Sequence, residues 1–570
     1  MTRRAEGAFG LFAIGITVLL LCGLTLVAQD NSSPKVTVRH ASSSGLSAPL
    51  RELAKVPPPP LYRLQPGRIQ LQSQRRPSGV VMDAVEQGAA GGSNFSIGVN
   101  GSALGSGFTG FTPGANYPDD NIAVGGSSPA QIVQVVNNSL MVFDKSLNPQ
   151  LPAPVTIAAL LGEIGGACAS GTPIGHPIAQ YDRNGGRWLI AENVVTAQPY
   201  VGTACIGVSQ TSDATGNYNA YIFPLGNGYP DLPKWGTMTT GFFQSNDNFG
   251  ADGETFQGPY ECAYDRVAME SGLAATQECF PLSTNDFALL PADMDSAQPP
   301  PSGQDEFLFS LWDSSDLALY SFHTDFINPA NAFITGNNGS QLFPVPAFTP
   351  ACNGQYLGSC VPQPSPPPTP LLDVLGDRLL YRVAYMNDVP PTVPTTALPP
   401  HFQHWLVMHD VTASGGNTAE RWYELFASFR KPIQVTSIGL LQSGTFAPDS
   451  NNYRWSGSIA RDKNGDILMG YSESSTTAFP SIYITGRTPA DPSGTMEPEL
   501  QVVAGTGAYL GVFDRNANRW GDYTSMRLDP ADNCTLWYTN EYYTRSGIFN
   551  WSTQINSACF AGCGKCGSEK

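Results

Sequence analysis

The sequence predicts an all-β protein: a β-propeller of about seven blades, with six or eight also fitting, behind a disordered N-terminal linker. Three observations point there. Charged residues make up only 14% of the 570, while Gly (59) and Pro (48) are abundant. That is the profile of a turn-rich β-protein with long loops and few surface helices. From about Asn116, short apolar or alternating runs recur, each closed by Gly, Asn, Asp or Pro, as in "QIVQVVNNSLMVFD", "NAYIFPL", "FLFSLWD", "HWLVMHDV" and "DILMGYS". Finally, one short unit is written twice, "DRNGGRW" at Asp182 to Trp188 and "DRNANRW" at Asp514 to Trp520, each preceded by an aromatic residue, Tyr181 or Phe513.

The chain opens with "MTRRAEGAFGLFAIGITVLLLCGLTLVAQD". Arg3 and Arg4 precede an apolar run from Phe9 to Ala28, and Leu26-Val27-Ala28 offers a cleavage site, so residues 1–28 read as a secretory signal peptide. The competing reading is an uncleaved membrane anchor. Gly10, Gly15 and Gly23 weaken the run as a permanent helix, which favours cleavage. Residues 29–105 read as a linker, with "PPPP" at Pro57 to Pro60, many Ser and Gly, and little periodic hydrophobicity. Between Asp30 and Arg76 stand eight basic residues and two acidic ones, the signature of a solvated tether.

Residues 106–560 carry the propeller pattern, with candidate blades centred near 135, 200, 250, 310, 400, 465 and 535. "VTIAALLGEIGG" at 155–166 is the one segment that suggests a short helix. A pair of β-sandwiches is the main competitor. Nine Trp and 22 Arg would give about 0.3 Arg-Trp pairs by chance, and four occur, at 187–188, 421–422, 454–455 and 519–520. In the repeated unit, the aromatic would end one strand, Asp-Arg-Asn would turn, and Arg-Trp would start the return strand. The recurrence of this unit at both ends of the domain favours the propeller.

Ten cysteines remain after the signal segment. An even number in an exported chain suggests disulfides. Pairing of neighbours gives Cys168–Cys205, Cys262–Cys279, Cys352–Cys360, Cys534–Cys559 and Cys563–Cys566, the last within the tail 561–570. The terminal "CGKC" lacks a βαβ context and a second CxxC, so a local staple is preferred to a redox or zinc motif. The formal net charge of −17 argues against nucleic acid as a partner. A membrane contact would come only through an uncleaved N-terminal segment.

The motifs "YPDDNIAVG" (117–125), "QVVNNSLMVFDK" (134–145), "LPADMD" (290–295), "LGDRLLYRVAY" (375–385), "SIARDKNGDILMGYS" (458–472), "PSIYITGR" (480–487) and "RWGDYTSMRLDPADNCTLWYTNEYY" (519–543) occur in one order. As a set they resemble a family of large exported bacterial proteins expected to adopt a sialidase-like β-propeller, over most of residues 116–560. The resemblance implies fold and export more strongly than activity. Two departures stand out: His176-Pro177 where an Asp-Pro is expected, and "WGTMTTGFF" after Lys234, which lacks an expected acid.

A sialidase-like hydrolase needs three arginines to clamp a carboxylate, a Tyr-Glu nucleophile pair and an acid for proton transfer. Arg421, Arg454, Arg519, Tyr523, Glu541, Asp119 and Asp120 supply the residue types without a family-specific order. "FRKP" (429–432) stands too late in the chain for the sialidase Phe-Arg-x-Pro motif. "DPADNCTLW" resembles the Asp-box turn of such propellers, in which Asp532 would cap backbone amides and Trp537 would pack between blades. "SIARDKNGD" lacks the full EF-loop pattern, so a turn is favoured over calcium. The acids of "YPDDN" could face the central channel and hold a cation or sugar hydroxyls, or cap a turn. His404 and His409 fall on opposite faces of a strand, which speaks against a shared metal site.

The expected ligand-binding set is Asp119, Asp120, Asn121, Arg454, Arg519, Asp522, Tyr523 and Glu541. No catalytic residue is assigned and no metal ligand is expected. No cofactor is expected beyond a structural calcium ion. Gly521-Asp522-Tyr523 is the piece that packing does not explain. The resulting expectation is an exported propeller that binds a glycan or envelope polymer without catalysis. The alternatives are a sialidase-like glycoside hydrolase and a structural or adhesion protein of the envelope.

Overall fold

Asp-centred turns and short apolar strands alternate along the chain, and most strands from residue 121 onward pair with the strand that follows. The computed structural model describes residues 33–56, 81–106, 118–354, 359–365, 370–388, 401–429, 438–511, 518–548 and 550–564. The signal segment, "PPPP" and Arg75-Arg76 lie outside the described residues.

The described strands form antiparallel stacks, each beginning with an inner strand. The first stack runs Asn121–Val124, Gln131–Val136, Ser139–Asp144 and Val155–Thr156. Its successors begin with Ile178–Asp182, Tyr229–Met238, Leu290–Met294, Val383–Asp388, Tyr453–Arg461 and Ser525–Leu528. Consecutive opening strands lie side by side, and Ser525–Leu528 returns to Asn121–Val124. A ring of inner strands with meandering sheets radiating from it is a β-propeller. Two of the stacks share one eleven-stranded sheet, because Ala292 pairs in parallel with Val383. The short helix expected near 155–166 forms at Ile157–Leu161, with the Thr156 hydroxyl accepting from the Ala159 N–H.

The segment read as a linker departs from that expectation. Phe95–Gly105 is an outer strand paired to Trp551–Phe560, so the beginning of the chain completes the last stack. Thr37–His40 pairs with Thr276–Pro281, Ser43–Leu46 with Tyr218–Asn227, and Glu86–Gln87 with Gly439–Phe446. Apart from Phe95–Gly105 these stretches are only two to four residues long. An outer strand needs only to satisfy the N–H and C=O groups of an exposed sheet edge, which leaves no strong hydrophobic signature.

The "DRNGGRW" unit forms the expected hairpin. Tyr181 opposes Trp188 and Asp182 opposes Arg187. Asp182 accepts the Asn184 N–H, and Arg187 donates to the carbonyls of Gly185 and Gly186. Trp188 is fully buried and fills the space beside Gly125, where a Cβ would come within 2.4 Å of the ring. The second copy behaves differently. Residues 512–517 lie outside the described residues, and Arg519-Trp520 does not open a return strand; it precedes the inner strand Ser525–Leu528. Trp520 nevertheless packs against Trp455 and Tyr543.

Three expected disulfides are present, Cys168–Cys205, Cys262–Cys279 and Cys352–Cys360. The fourth corrects the expectation, since Cys534 bonds to Cys563 rather than to Cys559. The strand carrying Cys559 ends at Phe560, and the turn after it brings Cys563 back over the Asp532 turn. Cys559 is itself disulfide-bonded, and Cys566 lies outside the described residues. No described helix is long and apolar enough to cross a membrane.

Candidate functional site

The ring brings the residues that lead into several inner strands to one end of the channel. Asp119 and Asp120 precede Asn121–Val124, His176 precedes Ile178–Asp182, Asp231 and Lys234 lie on Tyr229–Met238, and Asp522 and Tyr523 precede Ser525–Leu528. Asp119 and His176 take left-handed φ values of 46° and 60°, and Leu232 one of 49°. Such values are unfavourable for residues with a Cβ and recur where surrounding packing over-determines the backbone.

His176 sits at the centre of this convergence and is only 3% exposed. Its Nδ1 lies 3.2 Å from Asp119 Oδ2 and 3.4 Å from Asp522 Oδ2, and its Nε2 lies 3.6 Å from Asp231 Oδ1. The Asp522 N–H donates to Asp119 Oδ1 at 2.7 Å. Arg519 pairs with Asp522 Oδ1 and approaches Asp373 at 3.6 Å. Tyr523 donates its hydroxyl to the Pro177 carbonyl at 3.1 Å. The Lys234 Nζ stands 3.6 Å from the centre of the Tyr523 ring, a cation–π distance, and has no hydrogen-bond partner. Glu541 accepts the Gly521 N–H at 2.7 Å, and Asp120 accepts the Thr539 hydroxyl at 2.6 Å.

Burial dominates the electrostatics. It works against a charged His176, but the Asp119 and Asp231 carboxylates override it and raise the imidazole above its ordinary value. Burial drives Lys234 well below its ordinary value, despite Asp119. It pushes Asp120 up to about 7 against the Thr539 hydrogen bond, and Glu541 well up against the Gly521 N–H. Glu192, on the second strand of its stack, is pushed up to about 8 by burial alone. Asp373 rises to about 6 for the same reason, with Arg519 opposing.

Arg527 and its partners lie among the inner strands. Arg527 pairs with Asp293, donates Nε to the Ile122 carbonyl at 2.9 Å and donates Nη2 to the Tyr381 hydroxyl at 2.9 Å. Arg382 donates to Asp295 at 2.9 Å and lies 3.4 Å from Asp293. Buried ion pairs thus tie inner strands of different stacks to one another.

Of the expected ligand-binding residues, Asp119, Asp120, Arg519, Asp522, Tyr523 and Glu541 fall in this one region. Asn121 is turned aside, accepting the Ala179 N–H of the neighbouring inner strand at 2.9 Å. Arg454 does not join the site. It is fully buried and held by Asp449, Glu473 and Glu499. Arg421 is likewise spent on Asp83, Thr445 and the Pro346 carbonyl. The three arginines therefore do not converge, because the Arg-Trp dipeptide recurs in different local settings. Asp532 caps Cys534 and Thr535 as the Asp-box reading expects, and Asp462 caps Asn464 and Asp466.

His176, Asp231 and Lys234 were missed as site residues. His176 and the segment after Lys234 were visible only as departures from the family pattern. Their shared signal is a polar residue beside or within an inner strand, which only the ring makes meaningful.

The fold and this convergence define a β-propeller with an ionisable cluster at one end of its inner ring. No family model matches the chain, and no curated protein matches it. Solved structures similar to it include the Penicillium chrysogenum α-L-arabinanase complexed with arabinobiose, at 9% identity and TM-score 0.33, covering 81% of this chain and 98% of that one. The GH93 α-L-arabinofuranosidase of Fusarium graminearum with arabinobiose gives 9% identity and TM-score 0.34, covering 81% and 98%. A Hadza microbial sialidase gives 10% identity and TM-score 0.29, covering 75% and 73%. Likeness at this level assigns neither substrate nor site.

Proposed function

We propose that this chain is an exported, seven-bladed β-propeller that binds a glycan or another extracellular polymer at the His176 end of its inner ring, without cleaving it. The observation that carries the reading is the convergence of Asp119, His176, Asp231, Lys234, Arg519 and Asp522, with Lys234 Nζ buried and without a hydrogen-bond partner. Buried polar groups are rarely left unpaired without a role, and mixed carboxylates and cations suit sugar hydroxyls and acidic substituents. The disulfides fit an oxidising compartment. Sialidase-type chemistry is disfavoured because the arginines do not converge and the Tyr523 hydroxyl is committed to a backbone carbonyl.

The test is a glycan array followed by calorimetry on the full chain. Binding should fall at least tenfold in Arg519→Ala and Lys234→Ala with the fold intact by circular dichroism. An array with no binder at millimolar sugar, on folded protein, sinks the reading.

One observation favours a second reading, glycoside hydrolysis. Burial raises Asp120 and Glu541, which keeps a proton on a buried carboxyl group nearer neutral pH, as a general acid requires. Turnover of a fluorogenic arabinoside or sialoside, lost in Asp120→Asn and Glu541→Gln, would replace the binding proposal with this one.

A further inference from the structure

We infer that Asp119, His176 and Asp522 form a binding site for a small divalent transition-metal ion of the zinc class. The three ligand atoms, Asp119 Oδ2, His176 Nδ1 and Asp522 Oδ2, lie within 4.8 Å of one another. The two N···O separations, 3.2 and 3.4 Å, are those of neighbouring ligands on one ion. Four ligands bonded to zinc at about 2.0–2.1 Å in a tetrahedron stand about 3.3 Å apart.

The ring nitrogen itself is the second, independent observation. His176 Nδ1 is buried, lies 3.2 and 3.4 Å from two carboxylate oxygens, and is aligned for a good hydrogen bond on neither. A plain imidazolium–carboxylate pair would align its N–H on one of those oxygens. A nitrogen close to both oxygens but aligned on neither suits a ligand to an ion between them.

The surroundings prepare the same three atoms. The other oxygen of Asp119 is held by the Asp522 N–H at 2.7 Å, and the other oxygen of Asp522 by Arg519. Each carboxylate therefore turns its remaining oxygen towards His176. The opposite ring nitrogen faces Asp231 at 3.6 Å, the carboxylate that commonly fixes the orientation and tautomer of a metal-bound histidine. Three carboxylates, Asp119, Asp231 and Asp522, face the one imidazole, an arrangement whose negative charge a bound cation would offset. An imidazole with two carboxylates suits zinc or its first-row neighbours, whereas calcium prefers more oxygens at longer bonds. With three protein ligands, a fourth position remains for water or a ligand group.

The inference does not depend on the glycan reading, because the ion is assayed without any sugar. The purified folded chain is dialysed exhaustively against a chelator, then against buffer with Zn²⁺, and its metal content is measured after gel filtration. One equivalent of zinc is expected, with a rise of several degrees in Tm over the chelated protein. Asp522→Asn and His176→Gln should retain less than a tenth of an equivalent. Asp231→Asn should bind 10–100-fold more weakly. Ca²⁺ at the same concentration should give no comparable rise. If the variants unfold, Co²⁺ added to the chelated wild-type protein decides instead: a visible ligand-field band supports the site. Absence of both retained zinc and a cobalt band in folded wild-type protein overturns it, as does full zinc retention in folded His176→Gln.

Discussion

The backbone N–H of Asp522 donates to the side chain of Asp119 at 2.7 Å across 403 residues of sequence. The bond joins the lead-in of the last inner strand to that of the first. The element that closes the ring therefore also assembles the cluster around His176, and the closure can be probed separately from the site.

Arg527 offers the first probe. Its guanidinium pairs with Asp293 and reaches Ile122 and Tyr381 among the inner strands. Arg527→Ala leaves Asp293 buried with the Thr237 N–H and Arg382, at 3.4 Å, as its remaining partners. Loss of one partner from a buried pair costs about 3–5 kcal/mol. Denaturant unfolding should show that loss, and an unchanged midpoint would refute the role.

The strand Phe95–Gly105 completes the stack of Trp551–Phe560. A chain beginning at residue 118 should expose that edge and aggregate, whereas a chain beginning at residue 33 should remain monodisperse. Light scattering on the two truncations separates a structural strand from a dispensable tether.

The bond between Cys534 and Cys563 encloses a sequence separation of 29. A loop of that size contributes about 3–4 kcal/mol by constraining the unfolded chain. Peptide mapping without reduction should recover the 534–563 cross-link. Cys534→Ser should lower Tm, and recovery of a 534–559 cross-link would contradict the pairing.

Glu192 gives a pH signature. Burial raises its folded-state value to about 8, above the 4.5 ordinary for the group. The stability it contributes is present in full below about 4.5 and is lost as pH rises towards 8. Glu192→Gln should therefore flatten the fall in Tm between pH 5 and pH 8. Parallel pH–Tm curves for mutant and wild type would show that Glu192 is not the source.

Much of the fold was legible because its causes are local. The "DRNGGRW" hairpin follows from an aspartate that caps its own turn and a tryptophan that needs cover, and the Asp532 turn follows likewise. The acids of "YPDDN" were readable as inner-edge candidates because they stand immediately before a strand. The outer strands in residues 37–105 were not legible. Their hydrogen-bond partners stand far away in the chain, so their own local pattern does not reveal the pairing.

The sequence by itself determined the strand-and-turn alternation and pointed to the propeller class, since turn chemistry and strand periodicity are local; pairing neighbouring cysteines matched three bonds and failed at Cys534. Tertiary structure alone decided which arginine reaches the site. Arg454 and Arg519 both precede a tryptophan, yet one is enclosed by Asp449, Glu473 and Glu499 while the other pairs with Asp522 beside His176. A dipeptide fixes neither its register on a strand nor the charges within reach. Those are set when the ring closes and brings Asp119 to Asp522.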